Sequence, residues 1–343
     1  MIWLTWRQFR SQAIAAAALL AVLAIALAVT GPDLVTRFDQ AGLTTCHATC
    51  TSLASSFLRE LKTGPYNALF DAGIVLMYLA PALMGIFWGA PLIAREFETG
   101  TQRLAWNQSV TRTHWTAVKL GLIGLVAVAT AGLLSLMISW WASPIDHAMN
   151  FGLSGSGSGF PRLSPLLFAA RGVAPLGYAA FAFALGVTAG ALIRKTLPAM
   201  AITLVIFAAA QILVPNLVRP HLISPVQVTN AFNAKQNNEL MISAPSDKMT
   251  VVGSFNRPGA WVLSNKTVTP SGQVFTGPAT AACLGNSPTA CTNWLGGQHL
   301  RQEVSYQPAS RFWPLQWIET GIYLILAAGL AWLCAWQIRR RRA

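Results

Sequence analysis

The chain has 343 residues, 54% of them hydrophobic and only 10% charged, with a mean hydropathy of +0.48. A soluble domain carries about 25% charged residues, so the composition excludes an ordinary soluble enzyme and belongs to an integral membrane protein. The net charge of +13 does not point to nucleic acid. Half of the 24 Lys and Arg fall in four short segments (Arg7 and Arg10, Arg95–Lys119, Arg194-Lys195 and Arg339–Arg342) separated by apolar runs, which is the distribution of the positive-inside rule.

Met1–Gln12 reads as an interfacial amphipathic helix. Ile2, Trp6, Phe9 and Ala13 recur at helical spacing, Trp3 and Trp6 suit the headgroup region, and Arg7 and Arg10 can face anionic lipid. Ala13–Thr30 is the first expected membrane helix. The competing reading is a signal peptide, since Ala26-Leu27-Ala28 resembles a cleavage site, but the apolar run is long for a signal h-region. Pro32–Asp71 is then expected outside the membrane.

The second expected span is Ala72–Ala94 and the third is Leu120–Trp141. Neither holds an Asp, Glu, Lys or Arg, and each is long enough to cross a bilayer core of about 30 Å. The segment 95–119 between them is too short for a catalytic domain and too charged for lipid. Arg95, Arg103, Arg112 and Lys119 place it on the cytoplasmic side. Ser143–Arg171 is an outer loop with a flexible Gly155-Ser156-Gly157-Ser158-Gly159 stretch. That stretch is no nucleotide fingerprint, because no βαβ unit surrounds it.

Gly172–Ile193 is the fourth expected span. Arg194-Lys195 forms a tight cytoplasmic turn, and Thr196–Leu217 is the fifth span. Gly85 and Gly89 in the second span, and Gly186 and Gly190 in the fourth, form small-xxx-small patterns that let another backbone approach closely. The polar segment 218–313 is too long for an ordinary connection and reads as an extracytoplasmic insert. Thr250-Val251-Val252, Trp261-Val262-Leu263 and Thr267-Val268 predict strands within it. Trp313 and Trp317 form an aromatic belt ahead of the sixth span, Thr320–Ile338, within a last unit of residues 314–343 that ends in a basic tail. The expected fold is therefore all-α and membrane-embedded, with six transmembrane helices, some β structure in the insert, and both termini cytoplasmic.

Two cysteine pairs, Cys46/Cys50 and Cys283/Cys291, lie in outer segments, where an oxidising environment favours disulfides within each local couple. The Cys46-His47-x-x-Cys50 cluster lacks an obvious fourth ligand for a metal. His47, His114, His147, His221 and His299 are scattered, and the chain has no phosphate loop, nucleophile elbow or zincin motif. An enzyme is therefore not expected. The six expected spans hold no Asp, Glu, Lys or Arg, which argues against an internal proton relay. Glu319 and Arg171 lie at outer helix ends, where contact with water or with each other is expected.

The stretch Arg95-Glu96-Phe97-Glu98-Thr99-Gly100-Thr101, directly after the second of six spans, resembles the cytoplasmic signature of type-2 ATP-binding-cassette (ABC) exporter permeases. Glu96 and Glu98, Gly100-Thr101 and the apolar Leu104 fill the places of that signature. The amphipathic start, the six spans and the polar insert resemble the family's topology, although the insert is longer than in a minimal member.

The resemblance implies a permease that pairs with a second copy or a homologous permease. Arg95, Glu96, Phe97, Glu98, Thr99, Gly100, Thr101, Arg103, Leu104 and Trp106 would form a coupling helix seated in a separate cytoplasmic ABC ATPase dimer. ATP and Mg would be bound by that partner, with no cofactor in this chain and no nucleic acid. The apolar spans suggest an amphipathic or hydrophobic cargo such as a drug-like natural product, a lipid or a modified peptide. Arginine outnumbers lysine eighteen to six, a usage that, with the abundant alanine, fits a bacterial cell membrane. A second reading is a membrane-anchored sensor or assembly protein whose outer domain binds an extracellular ligand without transport.

Overall fold

The computed structural model describes residues 2–46, 50–100, 111–151, 161–232, 241–243, 248–253, 255, 257–278, 283 and 288–340. Among the described residues, six helices are long and apolar enough to cross a membrane: Phe9–Gln40, Pro65–Thr99, His114–Phe151, Ala174–Ile193, Thr196–Leu222 and Ala309–Arg340. Most overrun the sequence-based boundaries, because proline and charge do not stop a helix when its neighbours absorb the consequences.

The first helix shows how. Helix α1 runs unbroken over Ile2–Gln40, so the amphipathic start continues into the first span with no joint at Gln12. It also passes Gly31-Pro32, where the sequence suggested an end. The Thr30 hydroxyl donates to the Ala26 carbonyl at 2.8 Å and the Thr36 hydroxyl to the Pro32 carbonyl at 2.9 Å. Beyond Pro32, Arg37 pairs with Asp33 and with Glu60, each at 2.9 Å.

The segment Pro32–Asp71 is largely helical. A short helix α2 (Thr51–Lys62) packs Phe57, Leu58 and Leu61 against Leu34, Trp141 and Ile145. The Cys46–Cys50 disulfide closes the connection between α1 and α2.

Helix α3 (Pro65–Thr99) contains a wide turn over Met84–Gly89, in which the Ala90 N–H reaches back five residues to the Gly85 carbonyl. Helix α4 (Arg112–Phe151) is followed by a single-turn helix α5 (Pro165–Phe168), and then by α6 (Ala174–Ile193). Helix α6 is the axis of the bundle, with 78% of its most apolar window buried, against 6% for α1. A helix apolar on every side belongs inside. Its alanines, Gly186 and Gly190 keep it narrow enough for neighbours to crowd it.

The glycines of α3 and α6 meet each other. A Cβ on Gly85 would lie 2.7 Å from the Ala182 carbonyl oxygen, and one on Gly89 2.6 Å from that of Phe183. A Cβ on Gly186 would collide with the Gly85 carbonyl and lie 2.8 Å from the Ala90 nitrogen, and one on Gly190 would strike the Ala90 carbonyl. The wide turn and the glycine rows therefore occupy the same stretch. Helix α7 (Thr196–Leu222) has a second wide turn at Val214–Val218.

Phe9 of α1, Ile93 of α3, Trp115 of α4 and Ile338 of the last helix share one apolar cluster. The start of α1 and the end of the last helix thus lie at one end of the bundle.

The insert leaves from the other end. Strand β1 (Val226–Ala231) pairs antiparallel with β6 (Arg301–Gln307), which also pairs with β4 (Trp261–Val268). A smaller sheet joins β2 (Met241–Ser243), β3 (Lys248–Val252) and β5 (Gly277–Pro278). The predicted pieces at 250–252, 261–263 and 267–268 fall on β3 and β4. Strands β1 and β6 flank the insert, and pairing them draws α7 and the last helix, α9 (Phe312–Arg340), together. Arg311 ties the junction by donating to the Ser224 carbonyl at 2.6 Å. Helix α8 (Pro288–Gly296) carries Cys291, which is bonded to Cys283. The Gly-Ser stretch at 155–159 lies outside the described residues.

Two outcomes follow from this packing. Gly186→Leu should lower unfolding stability in detergent by at least about 2 kcal/mol, the scale of a forced overpacking. Gly329→Ala, in open space on α9, should leave stability unchanged or raise it by roughly 0.5–1 kcal/mol through helix propensity. Thermal melts followed by size-exclusion recovery distinguish the two. Replacing Cys283 and Cys291 together by Ser should open the insert to limited proteolysis while the spans melt as before, because that bond closes a loop within the insert alone.

Candidate coupling end and the buried polar girdle

The end of α3 is amphipathic, with Ile93 and Ala94 buried and Arg95 and Glu98 exposed. Gly100 stops the helix in the left-handed region at φ +71°, a conformation that costs glycine least. The segment thus projects from the bundle as one turn of charged helix.

The charged groups are fastened within the chain. Glu96 pairs with Lys119 at the foot of α4, and the ammonium also sits 4.7 Å from the Trp115 ring centroid. Glu98 accepts hydrogen bonds from the Thr196 backbone N–H at 2.9 Å and from its hydroxyl at 2.6 Å. A carboxylate on the unpaired N–H groups at a helix start satisfies them and meets the positive end of the helix dipole. The Arg194 guanidinium lies 5.3 Å from the Phe97 ring centroid, and the Thr99 hydroxyl donates to the Arg95 carbonyl. The end of α3, the foot of α4 and the turn between α6 and α7 therefore form one unit. Thr101, Arg103, Leu104 and Trp106 of the expected coupling set lie outside the described residues.

At the opposite end is a girdle of buried polar groups that sequence reasoning largely missed. Arg219 of α7 makes two hydrogen bonds to Glu319 of α9, Nε to Oε2 at 2.7 Å and Nη2 to Oε1 at 2.8 Å. The Tyr178 hydroxyl of α6 donates to the same carboxylate at 2.5 Å, and the guanidinium stacks 4.1 Å from the Phe168 ring centroid. Both members of the pair are buried, at 0% and 1% exposure.

Arg171, also at 0% exposure, donates to Asp146 of α4 at 2.9 Å. Gln316 caps α6, its carbonyl accepting from Val173 N–H at 3.0 Å and Ala174 N–H at 2.7 Å while its amide donates to the Phe168 and Arg171 carbonyls. In lipid such backbone groups have no water to turn to, so a single glutamine satisfying four of them fixes the α5–α6 corner.

This corrects two expectations. Glu319 and Arg171 meet neither water nor each other; each is buried against a different partner. Nor are the full-length spans free of charge, because α4 and α7 extend far enough to carry Asp146 and Arg219. The middle of every span is still without Asp, Glu, Lys or Arg. The available signal was a lone ionisable residue one turn from each apolar run, as in Ile145-Asp146 and Val218-Arg219. The Cys46 thiol and the Cys50 thiol are joined to each other, so they are not offered to a metal, and His47 lies outside the described residues.

Six long apolar helices, with the start of the first and the end of the last at one end of the bundle and a charged elbow after the second, define a multi-pass membrane protein. A family model described as ABC-2 membrane transporter related matches residues 17–219, more than half of the chain, and the chain belongs to that family. It is a transporter permease, the normally non-catalytic membrane subunit of systems that generally work with an ABC ATPase. The match begins within the first span, ends within the fifth and stops before the insert. No curated protein and no solved structure matches the chain.

Removing one member of a buried ion pair leaves the other charge uncompensated, at a cost of about 3–5 kcal/mol. Glu319→Leu or Arg219→Met alone should therefore destabilise the bundle by that order, and the double substitution should recover most of the loss. Chemical denaturation of the four proteins in the same detergent supplies the cycle.

Proposed function

We propose that this permease serves an exporter driven by ATP hydrolysis in a separate dimeric ABC ATPase, which binds ATP and Mg and seats the segment 95–106 as a coupling helix. The carrying observation is the fastening of that segment: Glu96 to Lys119, Glu98 to Thr196 and Phe97 to Arg194 join the ends of α3, α4, α7 and α6 at one point. A push delivered there by closing ATPases would reach α3, α4, α6 and α7 as one rigid displacement rather than being lost in a loose loop. In this reading the two glutamates act first inside the chain. The remainder of the segment, 101–106, meets the partner.

The elbow, both termini and the basic residues Arg112, Lys119, Arg194, Lys195, Arg339 and Arg340 then face the cytoplasm of a bacterial cell. A second permease, identical or homologous, completes the path. The exposed Leu197, Val205, Ile212 and Leu217 of α7 and Ile14, Val22, Ile25 and Val29 of α1 offer apolar faces for it or for lipid. The cargo is amphipathic or hydrophobic, a natural product, lipid or modified peptide.

Glu98→Lys should lower both co-purification of the ATPase and transport at least tenfold, a loss of about 1.4 kcal/mol in assembly. Survival of both would refute the coupling assignment. A reporter cysteine at position 102 should stay unlabelled by an impermeant reagent outside intact cells.

One observation favours a second reading, in which the insert senses an external ligand without transport. The insert lies beyond the matched residues, has its own core of Phe232, Met249, Val251, Phe275, Leu295 and Leu300, and meets the spans at a cleft of about 440 Å³ lined by Pro165, His221, Trp261 and Leu263. Stoichiometric recovery of an ATPase with the chain supports the exporter. Recovery of none, with all activity lost on deleting the insert, supports the sensor.

A further inference from the structure

Helix α1 touches α3 through Phe9 on Trp88 and Gln12 on Phe87, and a furrow is left open beside those contacts. At the level of the α3 end a cleft of about 460 Å³ is lined by Phe9, Gln12, Phe87, Trp88, Arg95 and Thr99, among others. It continues into an apolar groove of about 290 Å³ along Ala15, Ala16, Leu19, Leu23, Leu76 and Ala80. Gln12, Phe87 and Trp88 line both, so the two are one furrow with a polar head and an apolar tail.

The sequence explains the gap. Ala15, Ala16 and Ala80 are too short to fill it, and the wide turn at Met84–Gly89 sends the Phe87 ring outward to 50% exposure. At the head, the Gln12 amide donates to the Phe87 carbonyl at 3.4 Å, leaving its second N–H for another acceptor. Trp88 is packed edge-on against Phe9 at 5.0 Å, in the region where an indole N–H meets headgroups.

The charge of the head has one sign. Glu96 also lines it, but its carboxylate is taken by Lys119. Arg95 is exposed and, among the described residues, has no ion pair. The furrow therefore offers an arginine and an amide donor at a membrane surface, above a trough that excludes polar groups.

We infer that this furrow is a binding site for an anionic phospholipid of the adjoining leaflet, its phosphate on Arg95 and Gln12 and an acyl chain along Ala15, Ala16, Leu19 and Ala80. Gln12 to Leu23 spans roughly 16 Å of helix rise, most of the depth of one leaflet. A lipid held there would wedge α1 against α3 beside the glycine contact with α6. The inference requires only that the chain is embedded in a membrane, and it holds whether or not ATP drives transport.

The full chain, reconstituted in equimolar phosphatidylglycerol and phosphatidylcholine of matched chains and then extracted, can be examined by native mass spectrometry for retained lipid. Wild type should retain phosphatidylglycerol over phosphatidylcholine by about fivefold, the preference conferred by one arginine near the surface. Arg95→Gln should abolish the preference, Ala16→Trp should remove retained lipid of both kinds, and Arg339→Gln should behave as wild type. Equal retention of the two lipids by wild type overturns the inference, as does a preference that survives Arg95→Gln. Loss of self-association in Ala16→Trp with lipid retention unchanged would instead make the furrow a contact between two copies of the chain.

Discussion

The bundle depends on the approach of two backbones, that of α3 at Gly85 and Gly89 and that of α6 at Gly186 and Gly190. Water drives no helices together inside a bilayer, because lipid tails are as apolar as leucine. What remains is close packing, and its range is short. A methyl group at Gly186 would have to occupy the space of the Gly85 carbonyl, so the contact exists only because four positions carry no side chain. The wide turn of α3 lies in the same stretch and rotates Phe87 out of the bundle. One local choice therefore sets both the tight face of α3 and the open furrow on its other side.

Among the described residues, ion pairs are confined to the two ends. At the end that holds the start of α1, the Glu96–Lys119 ion pair joins the consecutive helices α3 and α4, and Glu98 reaches across to the start of α7, which stiffens the elbow. At the insert end Arg219, Glu319 and Tyr178 join α6, α7 and α9, while Asp146 and Arg171 join α4 to the corner before α6. Between the ends the helices touch through alanine, glycine and aliphatic side chains and through the Phe181, Phe207 and Tyr323 rings, with the Thr188 hydroxyl donating to the Leu330 carbonyl. Such a molecule is firm where α7 and α9 launch the insert and where an outside force would enter.

The six spans and the inner position of the glycine rows were legible because a bilayer imposes a length and a polarity on each helix independently of its neighbours. The strands at 250–252 and 261–268 were legible from β-branched and aromatic residues between turn signals. The elbow was visible as Arg95–Gly100, an island of charge between two uncharged runs. The engagement of Glu96 with Lys119 and of Glu98 with Thr196 was not. Those partners are 23 and 98 residues away in the chain, and nothing in local pattern ranks one distant donor over another.

Helix ends were the weakest part of the reading for the same reason. Gly31-Pro32 ordinarily ends a helix, yet α1 continues because Thr30, Thr36, Arg37 and Glu60 stabilise what the proline disrupts. The chain alone determined that this is a six-span membrane protein with a charged elbow and a polar insert before the last span, since those follow from the solvent each segment must face. Tertiary structure alone decided which glycine row meets which, where Arg219 and Glu319 are hidden, and that α1 meets α3 at Phe9 and Gln12 while leaving a furrow beside it. Each of these is a contact between segments far apart in sequence, and its energy exists only once both surfaces have been brought within a few ångströms.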